Sequence, residues 1–469
     1  MAGQFEAKDG KRGRPLLGIA WGLVVLALLI LLAVGLHGLW GHNTPEETTA
    51  PTLTQPSTTA PPVTTAPPVT TAPETQPPII KESSATIGST GDILLHKKVI
   101  QSGYSQETGT YNYDSAFSAV SSFISKMDYA VANLEVTLCG DANGYEYSGY
   151  PCFNAPDAIA DALKNAGFDM LLTANNHCFD TRTTGLLRTQ EILRNRELDY
   201  TGTRYTQEEK NYLVKEINGI KIGMICYTYN TGVDENGAAS LNGIPLTAEA
   251  TRLVNSFDYG NLDAFYTKLS AELSAMRGDG AEAVMVYLHW GDEYETTPNA
   301  AQKEIAQALC DMGVEVIVGN HAHVPQPVEL LTNSQDESQK TLCLYSMGNA
   351  LSNIRRGPNY PAETEDGMLF QVTFAKYSDG TVVVESVDVL PTWVNRYTED
   401  GMMKFQILAM DHRDKDNWQT SMNLTEELLE ECRDSYERTM EIVGSGLETA
   451  NAYFRQHQQE VEAIIGVTE

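Results

Sequence analysis

Seven short apolar runs cross the chain between residues 84 and 349, and each stops abruptly in polar residues: "SATIGSTGD", "MDYAVANLE", "FDMLLTANNH", "IKIGMICYTYN", "AVMVYLHWGD", "VEVIVGNHAH" and "TLCLYSMGN". Continuous apolar runs of this length predict strands buried on both faces. Amphipathic stretches lie between several of them. "APDAIADALKNAG", "DAFYTKLSAELSAMRGDG" and "NAAQKEIAQALCDMG" each end at glycine, as helices do. Strands alternating with helices predict an α/β layered fold. "TVVVESVDVLPTWV" adds a late strand, so the folded domain is expected over residues 83–396. From Tyr397 the spacing turns helical, predicting an extension over 397–469 of two helices split near Gly444 and Gly446. Packing on the domain is expected of it; a separate partner-binding tail is the alternative.

The pattern before residue 83 differs. Leu16 to Trp40 contains no Asp, Glu, Lys or Arg, and these 25 residues are long enough to span a bilayer as a helix. Lys8, Lys11, Arg12 and Arg14 precede them, which predicts a cytoplasmic tail over 1–15 and export of the remainder of the chain. A cleaved signal peptide is the rival, disfavoured by the length of the run and by the poor cleavage site in "GLHGLWGHN". Residues 41–82 are rich in Thr, Pro and Ala with the repeat "TTAPPV", a composition that predicts an extended, disordered stalk. The location expected is the cell membrane, single-pass, with the C-terminal domain extracellular.

The net charge of −30 argues against nucleic-acid or anionic-membrane binding. Seven cysteines form no C-x-x-C, which disfavours a zinc–thiolate site. Cys139 and Cys152 flank a loop-like stretch and are candidates for a disulfide outside the cell.

Chemistry concentrates where the runs stop. Asp92, Asn133 with Glu135, Asn175 with Asn176 and His177, His289, and Asn349 all fall there, as do His321 and His323. Open α/β sheets bind ligands beyond the carboxyl ends of their strands. Five of nine histidines (His96, His177, His289, His321 and His323) lie in or beside these motifs. If His321 and His323 continue a strand, their side chains share a face. Paired imidazoles with nearby carboxylates point to metal coordination by zinc, manganese or iron, with one or two ions.

In order, "GD" at 91–92, "NLE" at 133–135, "ANNHCFD" at 174–180, "HWGDEY" at 289–294, "GNHAHVPQPVE" at 319–329 and "YSMGNAL" at 345–351 resemble the CapA-type capsule and poly-γ-glutamate biosynthesis proteins. That family is related to the calcineurin-like metallophosphoesterases. The resemblance implies a four-layer α/β/β/α sandwich around a dinuclear metal site. It implies Asp92, Glu135, Asn176, His289, His321 and His323 as metal ligands, with Glu135 bridging. It implies His177 as catalytic acid, with Asp180 fixing its tautomer. Leu94 stands where the phosphoesterase motif has a histidine and His96 is displaced, so one imidazole of the first ion is missing.

Asn133, Asn175, Trp290, Glu293, Arg204 and Asn349 are the candidate substrate contacts, with packing the first reading of Trp290 and polymer contact its second, and Arg355 and Arg356 are further candidates. The expected function is a metal-dependent hydrolase or transferase acting on an anionic polymer beside membrane synthase subunits. A non-catalytic polymer-binding or scaffold subunit is the first alternative. An extracellular phosphodiesterase unrelated to capsule is the second.

Overall fold

The computed structural model describes residues 79–141, 144–233 and 238–464, with side chains to 458. Contacts divide the chain into residues 1–74 and 75–469. The expected tail and membrane span, and nearly all of the stalk, lie outside the described residues. Among the described residues, no helix is long and apolar enough to cross a membrane.

Two large sheets hold fifteen strands. The chain starts the first sheet with β1 (Lys81–Ile93), β2 (Tyr129–Leu134), β3 (Met170–Leu172) and β4 (Asp199–Thr201). It then builds the whole second sheet: β5 (Leu213–Ile217), β6 (Ile220–Tyr229), β7 (Ser256–Phe257), β8 (Ala283–His289), β9 (Val316–Asn320), β10 (Val328–Thr332) and β11 (Lys340–Leu344). It returns to complete the first with β12 (Asn349–Leu351), β13 (Asp366–Tyr377), β14 (Val382–Glu399) and β15 (Met402–Ala409). The first sheet runs β15-β14-β13-β1-β2-β3-β4, with β12 also on β1; the second runs β7-β6-β8-β9-β11-β10, with β5 on β6. The strands from β1 to β4 are parallel, as are β7, β6, β8, β9 and β11, so their carboxyl ends share a rim in each sheet.

The five longer helices are α1 (Ala158–Ala166), α2 (Arg182–Asn195), α3 (Leu262–Gly278), α4 (Ala300–Asp311) and α5 (Glu426–Ile464). An Asn299–Gln302 capping box starts α4, and Gly167 in the left-handed conformation stops α1.

Alternation along buried β8 shows the layering. Met285 and Tyr287 share one apolar cluster with Ile87, Val131 and Phe370 of the first sheet, while Val284, Val286 and Leu288 share another with Leu269 of α3 and Leu309 of α4. The outer face of the first sheet packs on α1 and α2 through Ile159, Leu163 and Leu193. The order is therefore helix, sheet, sheet, helix. The long helix α5 closes one side of the core between the sheets with Val443, Ala450 and Phe454.

The C-terminal expectation needs two corrections. Residues 397–409 are strand: β14 runs through Tyr397 into a turn at Asp400 and Gly401, both at positive φ, and returns as β15. Such a two-residue Asp-Gly turn suits a hairpin. After it a 3-10 segment (His412–Asn417) and a one-turn helix (Trp418–Ser421) lead into a single 39-residue helix from Glu426, which runs unbroken through Gly444 and Gly446. Gly446 serves close approach instead of a break: a Cβ there would lie 1.8 Å from the Val328 carbonyl oxygen. The seven cysteines, Cys139 and Cys152 among them, are free thiols.

Candidate metal centre

The strand ends meet between the two sheets. Alternation carries Ala85 and Ile87 of β1 inward, and Ser89 Oγ reaches Tyr287 Oη across the gap at 3.1 Å. Continued unbroken, that alternation would turn residue 92 outward. Instead Thr90 pairs with Ala132 and Asp92 with Asn133, leaving Gly91 as an extra residue. The bulge restores the inward face to Asp92. No larger residue fits, because a Cβ at Gly91 would sit 1.9 Å from the Gly348 carbonyl oxygen.

His321 and His323 arrive differently from expectation. Strand β9 ends at Asn320, and both histidines lie beyond it with φ of +95° and +57°. Left-handed turns, not strand alternation, aim the two rings into the site. Backbone strain at non-glycine residues in this region costs about 1–3 kcal/mol each and persists where the surroundings enforce it. The Asp92 carboxylate is one such constraint: Oδ2 accepts the His321 backbone N–H at 3.2 Å and lies 3.0 Å from His323 Nδ1.

Every residue expected as a metal ligand is here and buried. His289 Nε2 is 3.2 Å from His321 Nδ1, 2.8 Å from Asn176 Oδ1 and 3.4 Å from Glu135 Oε1. His323 Nε2 is 3.9 Å from the same Glu135 oxygen. Donor atoms of Asp92, Glu135 and His323 lie within 4.8 Å of one another, and so do those of Glu135, His289 and His321. Glu135 belongs to both groups, the position of a bridging carboxylate.

Electrostatics mark the cluster as incomplete by itself. Glu135 is fully buried, and neither carboxylate oxygen has a hydrogen-bond partner among the described residues. Burial, then the Asp92 and Glu293 charges, push its pKa well above the ordinary range. Burial holds His289 down at about 3, and burial with the neighbouring imidazoles keeps His321 well below its usual value. Burial opposes charge on Asp92 and His323 too, but their mutual contact outweighs it, lowering the carboxyl and raising the imidazole. A buried carboxylate with both oxygens unpartnered, beside neutral imidazoles, fits a divalent cation. The donor set therefore suits the metal expected from the sequence.

His177 stands beside this cluster with Nδ1 2.7 Å from Asp180 Oδ2, as expected. Asp180 Oδ2 also accepts the Phe153 N–H at 2.6 Å, and Oδ1 accepts Asn242 Nδ2 at 2.8 Å. The Phe153 ring lies edge-on to His177 and also to His96. His96 Nδ1 accepts the Asn353 N–H, and His96 joins no candidate ligand group among the described residues.

The substrate-contact expectations divide. Glu293 is exposed at the mouth, within 4.8 Å of the donor atoms of His321 and His323. Asn133, Asn175 and Asn349 frame the ligands: Asn133 donates to Asp92 at 2.7 Å, Asn175 to the Leu134 carbonyl at 2.9 Å, and Asn349 to the His323 carbonyl at 3.0 Å. Trp290 is fully buried, stacked on Tyr345 and donating to its carbonyl at 2.9 Å, so it packs instead of facing a polymer. Arg204 is spent on the backbone carbonyls of Gln207, Glu209 and Arg252. Arg355 caps Val394 and pairs with Glu365, and Arg356 pairs with Glu431 of α5.

Two residues escaped the sequence reading. Tyr229, the last residue of β6, puts its hydroxyl 3.0 Å from His321 Nε2. Its place at a strand end in "YTYN" was the available signal. Asn242 sits with Gly243 at positive φ in an Asn-Gly turn. The dipeptide signals the turn, but nothing in the sequence shows that it meets Asp180.

CapA of Bacillus anthracis, a capsule biosynthesis protein, is 28% identical over 267 residues, 56% of this chain and 59% of that protein. The chain thus spans less than two thirds of that relative. CapA of Bacillus subtilis (strain 168), a PGA biosynthesis protein, is 26% identical over 321 residues, 67% of this chain and 75% of that one. A solved Staphylococcus aureus structure described as a 5′-nucleotidase, in complex with α-ketoglutarate, aligns over 73% of this chain and 58% of its own. It does so at 13% identity with a TM-score of 0.37. The family model of the bacterial capsule synthesis protein PGA_cap matches residues 86–354, more than half of the chain and a span within which every ligand candidate above falls. The chain belongs to the bacterial capsule synthesis protein family PGA_cap.

Proposed function

We propose that this chain is a metal-dependent hydrolase or transferase of capsule or poly-γ-glutamate biosynthesis, acting on an anionic polymer outside the cell. One observation carries the reading: the buried, unpartnered Glu135 carboxylate shared by two sets of ligand donors drawn from opposite sheets. Asp92, Glu135 and His323 would hold one divalent ion, and Glu135, His289 and His321 a second, with Asn176 beside it. Manganese, zinc and iron all suit mixed imidazole and carboxylate donors. A bound ion supplies a Lewis acid for a phosphoryl or carbonyl oxygen.

The protein's own part rests on its hydrogen bonds. Asp180 accepts the Nδ1 proton of His177, which leaves Nε2 as the nitrogen that exchanges a proton with substrate. Asn242 and the Phe153 N–H hold Asp180 in place, so the imidazole keeps one tautomer and one orientation. The helix–sheet–sheet–helix order supports kinship with the calcineurin-like metallophosphoesterases. The apolar run over residues 16–40 and the Thr/Pro-rich segment after it support a membrane anchor and stalk carrying the domain outside, next to synthase subunits.

The test uses the full-length chain purified in detergent. Metal analysis should find one or two divalent ions per chain, lost in His321→Ala. Hydrolysis of a generic phosphodiester or of poly-γ-glutamate should vanish in His177→Ala while its metal remains. A wild-type chain that binds no divalent ion overturns the proposal. Bound metal without turnover, and unaltered polymer export in His177→Ala, would replace it with a scaffold role.

A further inference from the structure

We infer that Glu293 is a cation ligand at the solvent mouth of this centre, acting with His321 and His323. The inference rests on the proposed cation site. It answers a deficit in the donor set: Leu94 replaces one expected imidazole, and His96 is turned to the Asn353 backbone. The Glu293 carboxylate and the two imidazoles have donor atoms within 4.8 Å of one another.

The proximity is built in by the surrounding chain. Trp290 anchors the start of the segment through its bond to Tyr345. Gly291 turns it at φ +92°, where a Cβ would lie 2.6 Å from the Gln302 side chain. The Tyr294 N–H then donates to the Ala322 carbonyl at 2.7 Å, pinning the residue after Glu293 to the peptide between the two histidines. Gln326 Nε2 donates to the Glu295 carbonyl at 2.7 Å and fixes the next residue. Glu293 is thus held over the site by its neighbours while its own side chain faces solvent.

Three carboxylates around the imidazoles make a harder donor set, which favours manganese over softer competitors. The inner ligands are buried and Glu293 is exposed, so Glu293 is the one ligand that an incoming phosphate or carboxylate can displace without unfolding the core.

The experiment titrates Mn²⁺ alone into chelator-stripped, full-length chain in detergent and measures heat and ion stoichiometry. Glu293→Gln should weaken at least one binding event by about tenfold or more, the floor set by losing even an outer-shell partner. The melting temperature of the stripped variant should match stripped wild type. Equal Mn²⁺ affinity in Glu293→Gln overturns the inference and leaves the cation site standing. A weakened affinity accompanied by a lower melting temperature of the stripped variant also overturns it, because a ligand role leaves the stripped fold intact. Wild-type chain that binds no Mn²⁺ overturns the inference by a distinguishable route, because no binding event is then left for Glu293 to strengthen.

Discussion

Replacing Glu135 by glutamine tests the electrostatic state of the centre without changing its shape. In the cation-free protein the Glu135 carboxyl is buried, unpartnered and raised in pKa. In the unfolded chain it titrates near the ordinary glutamate value of about 4.3. Between those two values the folded state holds a proton that the unfolded state has released. Stability therefore falls as pH rises, by about 1.4 kcal/mol for each pH unit inside the window. For a domain of this size that is about 2 °C of melting temperature per unit. Glutamine carries no such proton, so Glu135→Gln lacks this slope. Groups common to both proteins cancel in the comparison, including His289, whose depressed value makes stability fall at acid pH. The assay is thermal melting of chelator-stripped wild type and variant at pH 5.5, 6.5 and 7.5. The variant should gain on wild type as pH rises. Adding Mn²⁺ at 100 times its Kd should then stabilise wild type by about 2.7 kcal/mol and the variant far less. A stability difference that stays constant across this pH range would refute the reasoning, since it would mean that Glu135 has already ionised in the fold by pH 5.5.

Two further perturbations test neighbouring parts. Tyr229→Phe keeps the ring against His321 but removes the hydroxyl 3.0 Å from Nε2; Mn²⁺ affinity measured by titration should drop about 10- to 100-fold. Gly446→Ala forces a methyl group against the Val328 carbonyl where α5 crosses β10, and urea denaturation should show a loss of about 1–3 kcal/mol.

The site was legible because its chemistry sits where the strands end. In β2, β8 and β9 the apolar run is buried on both faces, so the first polar residue past it had no place but the rim. The reasons were less legible than the residues. Side-by-side aiming of His321 and His323 comes from two left-handed turns, which no periodicity announces. The inward face of Asp92 comes from a one-residue bulge at Gly91, visible only once β2 is beside it. Past residue 396 the pattern misled, because "MMKFQILA" reads as apolar at either period. The Asp400–Gly401 dipeptide was the better guide, as a hairpin signal independent of hydrophobicity. Gly446 looked like a break because a sequence does not reveal the Val328 carbonyl waiting beside it, whereas a Cβ at Gly444 would meet only the Met440 side chain. The arginines failed for a related reason: charge was visible, but the backbone carbonyls and acids that already claim it were not.

Strand β1 occupies the middle of the first sheet, with β2 on one side and β13 on the other. Its second neighbour arrives roughly 270 residues later, after the whole opposite sheet has been made. At about 5–20 residues per second of synthesis, that edge stays open for roughly 15–55 s. Throughout that interval β1 offers unsatisfied backbone groups to any passing strand, and the nascent domain is at its most prone to aggregation. A chain built this way gains from whatever shortens or shelters that interval: quick emergence of the closing strands, or cover over the open edge until they arrive.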